Sequence, residues 1–161
     1  MSVKNTILAL LYKKERHGYE VITGFNELVQ KQWQLNPGQV YTTLDRLERD
    51  LLVESLGEDI KGRTVYSITE IGKEAFLEWL RTPVKRPLLK DEFYFKWLCA
   101  QENHSEELYK LIQSQKDTII KQIFFLTQLK LETKESNFKK IIHGGLLHLE
   151  ADLKWLEYIE E

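Results

Sequence analysis

The sequence predicts a mainly α-helical chain with one small β-hairpin, divided into a compact N-terminal domain and a wholly helical C-terminal one. Three observations carry this. Apolar residues recur at helical spacing along most of the 161 residues, and only 52–56 and 63–68 are short, rich in β-formers and roughly alternating. Pro83-Val-Lys-Arg-Pro87 is the sharpest break, because two prolines so close together cannot continue a helix. Beyond it, two long stretches carry apolar residues at alternating steps of four and three.

Val3, Ile7, Leu8, Leu10 and Leu11 predict a short, largely buried first helix over 3–12. A charged connector, 13–16, is punctuated by His17-Gly18, where the His17 side chain is expected to fix the turn by a hydrogen bond. A second helix is expected over 19–32. Gly24 inside it costs about 1 kcal/mol relative to Ala, so that helix depends on packing.

The third helix opens on Asn36 as N-cap with Pro37 at the first helical position. Val40, Leu44, Leu47 and Leu51 form its apolar stripe, and Gln39, Tyr41, Thr42, Asp45, Arg46 and Arg49 occupy the rest. These are side chains of the kinds that contact base edges and phosphates. Strands over 52–56 and 63–68 then flank a loop, 57–62, and Thr69 caps a fourth helix that stops near Thr82-Pro83. Three helices, a hairpin and a further helix in about 80 residues is the order of a winged helix-turn-helix, whose second motif helix enters the major groove. The hairpin loop is then the wing, with Lys61 and Arg63 available to phosphates.

After the prolines, 88–100 is a helix dense in aromatics: Phe93, Tyr94, Phe95 and Trp97. Ser105 opens a long helix with a seam of Leu108, Ile112, Gln115, Ile119, Gln122, Leu126 and Leu129, and the last helix repeats the device with Ile142, Leu146, Leu149, Leu153 and Leu156. Phe124, Phe125, Leu131, Trp155 and Ile159 lie outside those seams. Two helices cannot bury all of this, so a partner chain is expected. The expected organisation is a DNA-binding domain over 1–82, a linker over 83–87 and a helical dimerisation domain over 88–161.

Composition narrows the function classes. With 42 % apolar and 30 % charged residues the chain is globular, not disordered. No run is apolar enough for a membrane helix, and no secretory leader is expected from the N-terminal residues. Cys99 is the single cysteine, which excludes an internal disulfide, fits a reducing cytoplasm and reads as a buried small apolar residue. His143 and His148 are five apart, off one helical face, and His104 stands alone, so no metal or other cofactor is expected. No nucleophile–base set or phosphate loop suggests an enzyme. Residues 1–87 hold 13 Lys/Arg against 12 Asp/Glu and 88–161 hold 10 against 13, so DNA affinity must rest on a few placed cations.

Ile7-Leu-Ala-Leu-Leu11, His17-Gly-Tyr-Glu20, Pro37-Gly-Gln-Val-Tyr41, Leu44-Asp-Arg-Leu-Glu48 and Tyr66-Ser-Ile-Thr-Glu-Ile-Gly72 occur together and in this order. In these stretches the chain resembles the PadR-like transcriptional regulators, in particular the longer subgroup with a helical C-terminal domain. The resemblance implies a homodimeric repressor that binds an inverted-repeat operator in double-stranded DNA, dimerises through its C-terminal helices and, in some relatives, is released by a small aromatic effector. By position it implies DNA contacts from Gln39, Tyr41, Thr42 and Arg46 on the recognition helix and from Lys61, Gly62 and Arg63 on the wing. Two departures stand out. Leu51 occupies a helix end where relatives usually carry Gly, so that turn must be closed differently or under strain, and the wing carries Glu58 and Asp59.

Alternatives remain open at several positions. Tyr41 either reads DNA or packs the recognition helix onto the wing, and Asp45 with Arg49, spaced i, i+4, fits a plain surface ion pair more than a base contact. Trp33, Phe93, Tyr94, Trp97, Trp155 and Tyr158 are candidates for a pocket taking a flat effector, or else simply core. The competing function is a winged-helix protein–protein adaptor that does not bind DNA, supported by the near-neutral first domain and acidic wing tip.

Overall fold

The computed structural model describes residues 3–32, 35–85, 91–101 and 105–160. They form two compact units, Met1–Val84 and Lys85–Glu161. The elements run α1 (Val3–Lys13), β1 (Arg16–His17), α2 (Gly18–Leu28), α3 (Pro37–Arg49), β2 (Val53–Glu58), β3 (Thr64–Ile68), α4 (Glu70–Arg81), α5 (Glu92–Gln101), α6 (Ser105–Glu132) and α7 (Ser136–Tyr158). The chain is mostly helical with a small antiparallel sheet.

In the first unit, Ile7 and Leu8 of α1, Val21 of α2 and Val40 and Leu44 of α3 are completely buried in one core that also takes Val53, Tyr66 and Ile68 from the sheet. The sheet has three strands, in the order β1-β3-β2, where the sequence predicted two. The extra strand pairs Arg16 with Tyr66 and His17 with Val65. Two residues carry no periodicity, so the stretch reads as a connector until its partner is known.

His17 ends that strand and caps α2. Its Nδ1 accepts from the Glu20 backbone N–H at 3.3 Å while the Glu20 carboxylate accepts from the His17 N–H at 3.2 Å. This reciprocal box satisfies two donors at the helix start and is the turn-fixing role expected of His17. Gly24 has its packing reason too, since a Cβ there would stand 3.2 Å from both Arg16 Nη1 and Leu10 Cδ2. Arg16 is held in place by its Nε, which donates to the Leu10 carbonyl at 3.2 Å. The helix α2 ends at Leu28, short of the expected 32, because Gln30 and Lys31 take positive φ of 50° and 60°.

The start of α3 is as expected. Asn36 Oδ1 accepts from the backbone N–H groups of Gly38 and Gln39, with Pro37 beside it. Its stripe needs a correction at the far end. Val40, Leu44 and Leu47 are buried, but Leu51 is 66 % exposed. The helix stops at Arg49 and Leu51 takes φ 58°, with its N–H donating to the Glu48 carbonyl and that of Leu52 to the Leu47 carbonyl. That is a Schellman closure with leucine in the left-handed position that favours glycine. The turn is clamped from the other side by α4, where Thr69 Oγ1 donates to the Leu51 carbonyl and accepts from the Gly72 N–H. A Cβ on Gly72 would lie 2.0 Å from the Leu52 carbonyl oxygen, so only glycine lets α4 approach this closely.

The hairpin is longer than expected on its first strand. β2 reaches Glu58 through an irregularity after Ser55, where Gly57 takes φ 97°.

In the second unit, α6 and α7 are antiparallel. Gln113 and Lys116 of α6 bond Glu160 just beyond α7 at one end, and Lys130 lies 3.5 Å from His143 at the other. Their seam buries Ile112, Ile119, Phe138, Ile142, Leu146 and Leu156, whereas Gln122 is exposed. Phe124, Phe125 and Leu131 remain 66 %, 56 % and 73 % exposed on the outside. The short α5 starts at Glu92 behind Asp91, whose Oδ1 accepts from the Phe93 N–H, and the expected first residues 88–90 lie outside those described. The side chain of Ser105, expected to cap α6, and His104 also lie outside them. No residue of α5 is fully buried, and Cys99 on it is exposed instead of internal. A single helix laid on a helical pair shields only one of its faces.

Candidate nucleic-acid interface

The outward face of α3 follows from the burial of the inward one. With Val40, Leu44 and Leu47 in the core, Gln39, Tyr41, Thr42, Asp45, Arg46 and Arg49 are all exposed. Thr42 Oγ1 donates back to the Gly38 carbonyl at 2.9 Å, which leaves its methyl and its oxygen lone pairs outward. Glu48 is engaged with the β2 backbone, its Oε1 accepting from the Ser55 N–H at 3.2 Å. Among the described residues no ion pair joins Asp45 to Arg49, and none involves Arg46. Arg46 and Arg49 sit in the last turn of α3, where a cation also meets the negative end of the helix dipole.

Tyr41 has a defined seat. Its ring lies across Gly18, where a Cβ would stand 2.4 Å from Tyr41 Cε1. The ring is nonetheless 47 % exposed, so the contact positions it without hiding it. His17, Tyr19, Tyr41, Arg63 and Tyr66 are among the residues that line a cleft of about 220 Å³ between the start of α2, α3 and the foot of the wing. Burial pushes the Tyr66 hydroxyl above its ordinary pKa, with the charges of Asp45 and Glu48 adding to the effect.

The wing tip is organised by a residue that sequence reading treated only as unwanted negative charge. Asp59 Oδ1 accepts from the backbone N–H of Lys61 at 2.8 Å and of Arg63 at 3.0 Å, and Oδ2 accepts from Arg63 Nε at 2.8 Å. Gly62 completes the loop with φ 70°. The Arg63 side-chain bond, with the backbone bonds behind it, holds the Asp59 carboxyl well below the usual carboxylate range. Lys61 is exposed and in no ion pair among the described residues. An Asp two and four residues ahead of the amides it binds is a turn signal that the spacing Asp59-x-Lys61-Gly62-Arg63 contains.

The aromatic candidates of the second unit divide. Trp155 on α7 packs against Tyr94, Phe93 and Trp97 of α5 with ring centroids 4.7, 5.8 and 6.3 Å apart. Tyr158 is not part of this group. It lies at the end of α7, 74 % exposed. Trp33 lies outside the described residues. Among the described residues no group of three His, Cys, Asp or Glu side chains is placed to hold a metal, and no helix is long and apolar enough to cross a membrane.

Residues 7–78, a stretch that includes α3 and the wing, match the family described as "Transcriptional regulator PadR-like family". The chain is 28 % identical over 117 residues to the negative transcriptional regulator PadR of Bacillus subtilis, a match that spans 67 % of this chain and 63 % of that protein. It is 30 % identical over 80 residues to an uncharacterised protein of Lysinibacillus sphaericus, spanning 45 % of this chain and 73 % of that one. Among solved structures, Bacillus subtilis PadR in complex with operator DNA superposes with a TM-score of 0.71 at 23 % identity, covering 97 % of this chain and 96 % of that one. The same protein in complex with p-coumaric acid gives 0.71 at 23 % identity, covering 98 % and 92 %. At that identity the likeness is one of fold.

Proposed function

Since the chain belongs to the PadR-like family of transcriptional regulators, we propose that it is a homodimeric cytoplasmic repressor that binds an inverted-repeat operator. Residues 1–82 form the DNA-binding domain in this reading, 83–87 the linker and 88–161 the dimerisation domain. The observation that carries it is the two-sided character of α3: one stripe buried, and on the other side Gln39, Tyr41, Thr42 and Arg46 exposed together, with no acidic partner on Arg46 among the described residues. Side chains of these types read base edges and hold phosphates. Lys61 supplies a wing contact to a phosphate.

Dimerisation is supported by Phe124, Phe125 and Leu131, large apolar side chains left mostly exposed on α6 that a second copy would cover. Two copies would also double the phosphate contacts, which matters for a domain with almost no net charge. A small effector taken up by the second unit completes the reading, and the PadR complex with p-coumaric acid supports it as a precedent in the same fold.

A second reading, a winged-helix adaptor without DNA binding, is favoured by the near-neutral first domain and by a wing arginine already paired with Asp59. Footprinting on DNA upstream of the protein's own coding sequence separates the two. The repressor protects two half-sites about one helical turn, roughly 34 Å, apart. Absence of any protected sequence there and across a random-site selection favours the adaptor.

A further inference from the structure

We propose that the aromatic cavity of the second unit binds a small organic cation, an ammonium head group, and not an aromatic carboxylate. The proposal rests on the reading of this unit as the effector-binding part of a regulator and names the ligand class. The cavity, about 100 Å³, opens where the start of α5 meets α6 and the last turns of α7. Phe93, Tyr94 and Trp155 line it together with two carboxylates, Asp91 and Asp152, and among the described residues no Lys, Arg or His lines it.

The charges around it point one way. Asp91 is fixed in place by the helix it caps, its Oδ1 accepting from the Phe93 N–H. Asp152 stands one turn before Trp155 on α7 and, among the described residues, has no hydrogen bond or ion pair. The last turn of α7 carries no basic residue, so the negative end of its dipole adds to the same field. Lys116, the neighbour of the lining residue Gln115, is already paired with Glu160.

Ring quadrupoles attract an ammonium group placed against them, and carboxylates at the rim reinforce the attraction. A carboxylate ligand would meet two like charges, with no cation among the described lining residues to offset them.

The test titrates the full chain, without DNA, with choline, with its uncharged isostere 3,3-dimethylbutan-1-ol and with p-coumarate, following Trp fluorescence and heat. Choline should bind saturably, at least about tenfold more tightly than the neutral isostere, and Asp152→Asn should weaken it about tenfold. Asp152 is exposed, so that variant folds, which its melting curve checks. Trp155→Leu should abolish choline binding, and Trp155→Phe should retain most of it. No saturable choline binding, no effect of Asp152→Asn, or tighter binding of p-coumarate that Asp152→Asn strengthens would each overturn the proposal. Operator binding, measured separately, distinguishes the failures: a protein that binds operator but not choline loses this proposal alone. One that binds choline but no DNA loses the regulator reading alone.

Discussion

Arg63 donates from Nε to the Asp59 carboxylate at 2.8 Å, so the arginine of the wing is engaged before any DNA is present. A phosphate contact from Arg63 must share its guanidinium with that carboxylate or displace it, whereas one from Lys61 displaces only water. Lys61→Ala is therefore predicted to lower the magnitude of the salt slope of operator binding by about 1, and Arg63→Ala to change it by less. Asp59→Asn removes the competing charge, keeps an acceptor for the Lys61 and Arg63 amides, and should tighten binding with a steeper slope. Anisotropy titrations across a range of salt concentrations decide among these.

The same pair sets how the wing responds to acid. The Asp59 carboxyl is depressed in the folded protein, so what its ionised form contributes is fully present above the unfolded value and is lost only as pH falls through the folded one. The wing is thus predicted to keep its loop structure from neutral pH down to about pH 4, where unpaired aspartates begin to protonate. The amide resonances of Lys61 and Arg63 should hold their positions over that interval. A transition of both near pH 6 would mean the carboxylate is not their partner.

Leu51 closes α3 in the left-handed conformation at φ 58° with its side chain mostly in water. The side chain contributes little burial, while the backbone costs about 1–2 kcal/mol relative to a residue without a Cβ. Part of that is offset by the greater freedom of glycine in the unfolded chain. Leu51→Gly should stabilise the protein by about 1 kcal/mol and raise its melting temperature by several degrees. An unchanged or lowered melting temperature would show that Leu51 makes contacts absent from the isolated chain.

Two glycines give opposite outcomes. Gly72→Ala drives a methyl against the Leu52 carbonyl, backbone that cannot rotate away, and is predicted to cost about 3 kcal/mol or more. The nearest atoms to a methyl in Gly18→Ala all belong to the Tyr41 ring, which is half in water and can swing aside. It should leave the melting temperature nearly unchanged and weaken operator binding by displacing that ring.

What was legible in the sequence was periodic or capped. Asn36-Pro37 placed the start of α3, Thr69 that of α4, and the four-three steps marked the α6–α7 seam, because each rests on contacts within one turn or one face. What was not legible depended on a distant partner or on a few φ angles. β1 exists only because β3 lies beside it, the exposure of Leu51 follows from one left-handed residue, and Tyr158, in the same turn of α7 as Trp155, stays exposed outside the aromatic group. In the wing the acidic residues were visible, but their sign alone concealed that Asp59 shapes the loop carrying Lys61 and Arg63.

In the proposed function, α3 and the wing hold operator DNA through Arg46 and Lys61. Anisotropy of a labelled upstream fragment, titrated at several salt concentrations with the wild-type chain and with the Arg46→Ala/Lys61→Ala variant, measures both contacts at once. The variant should keep the wild-type melting temperature, since both side chains are exposed and outside the ion pairs of the described residues. Its affinity should fall at least about tenfold, with a salt slope smaller in magnitude by about 2 per protomer. Equal affinity and equal slope for the two proteins would contradict the claim.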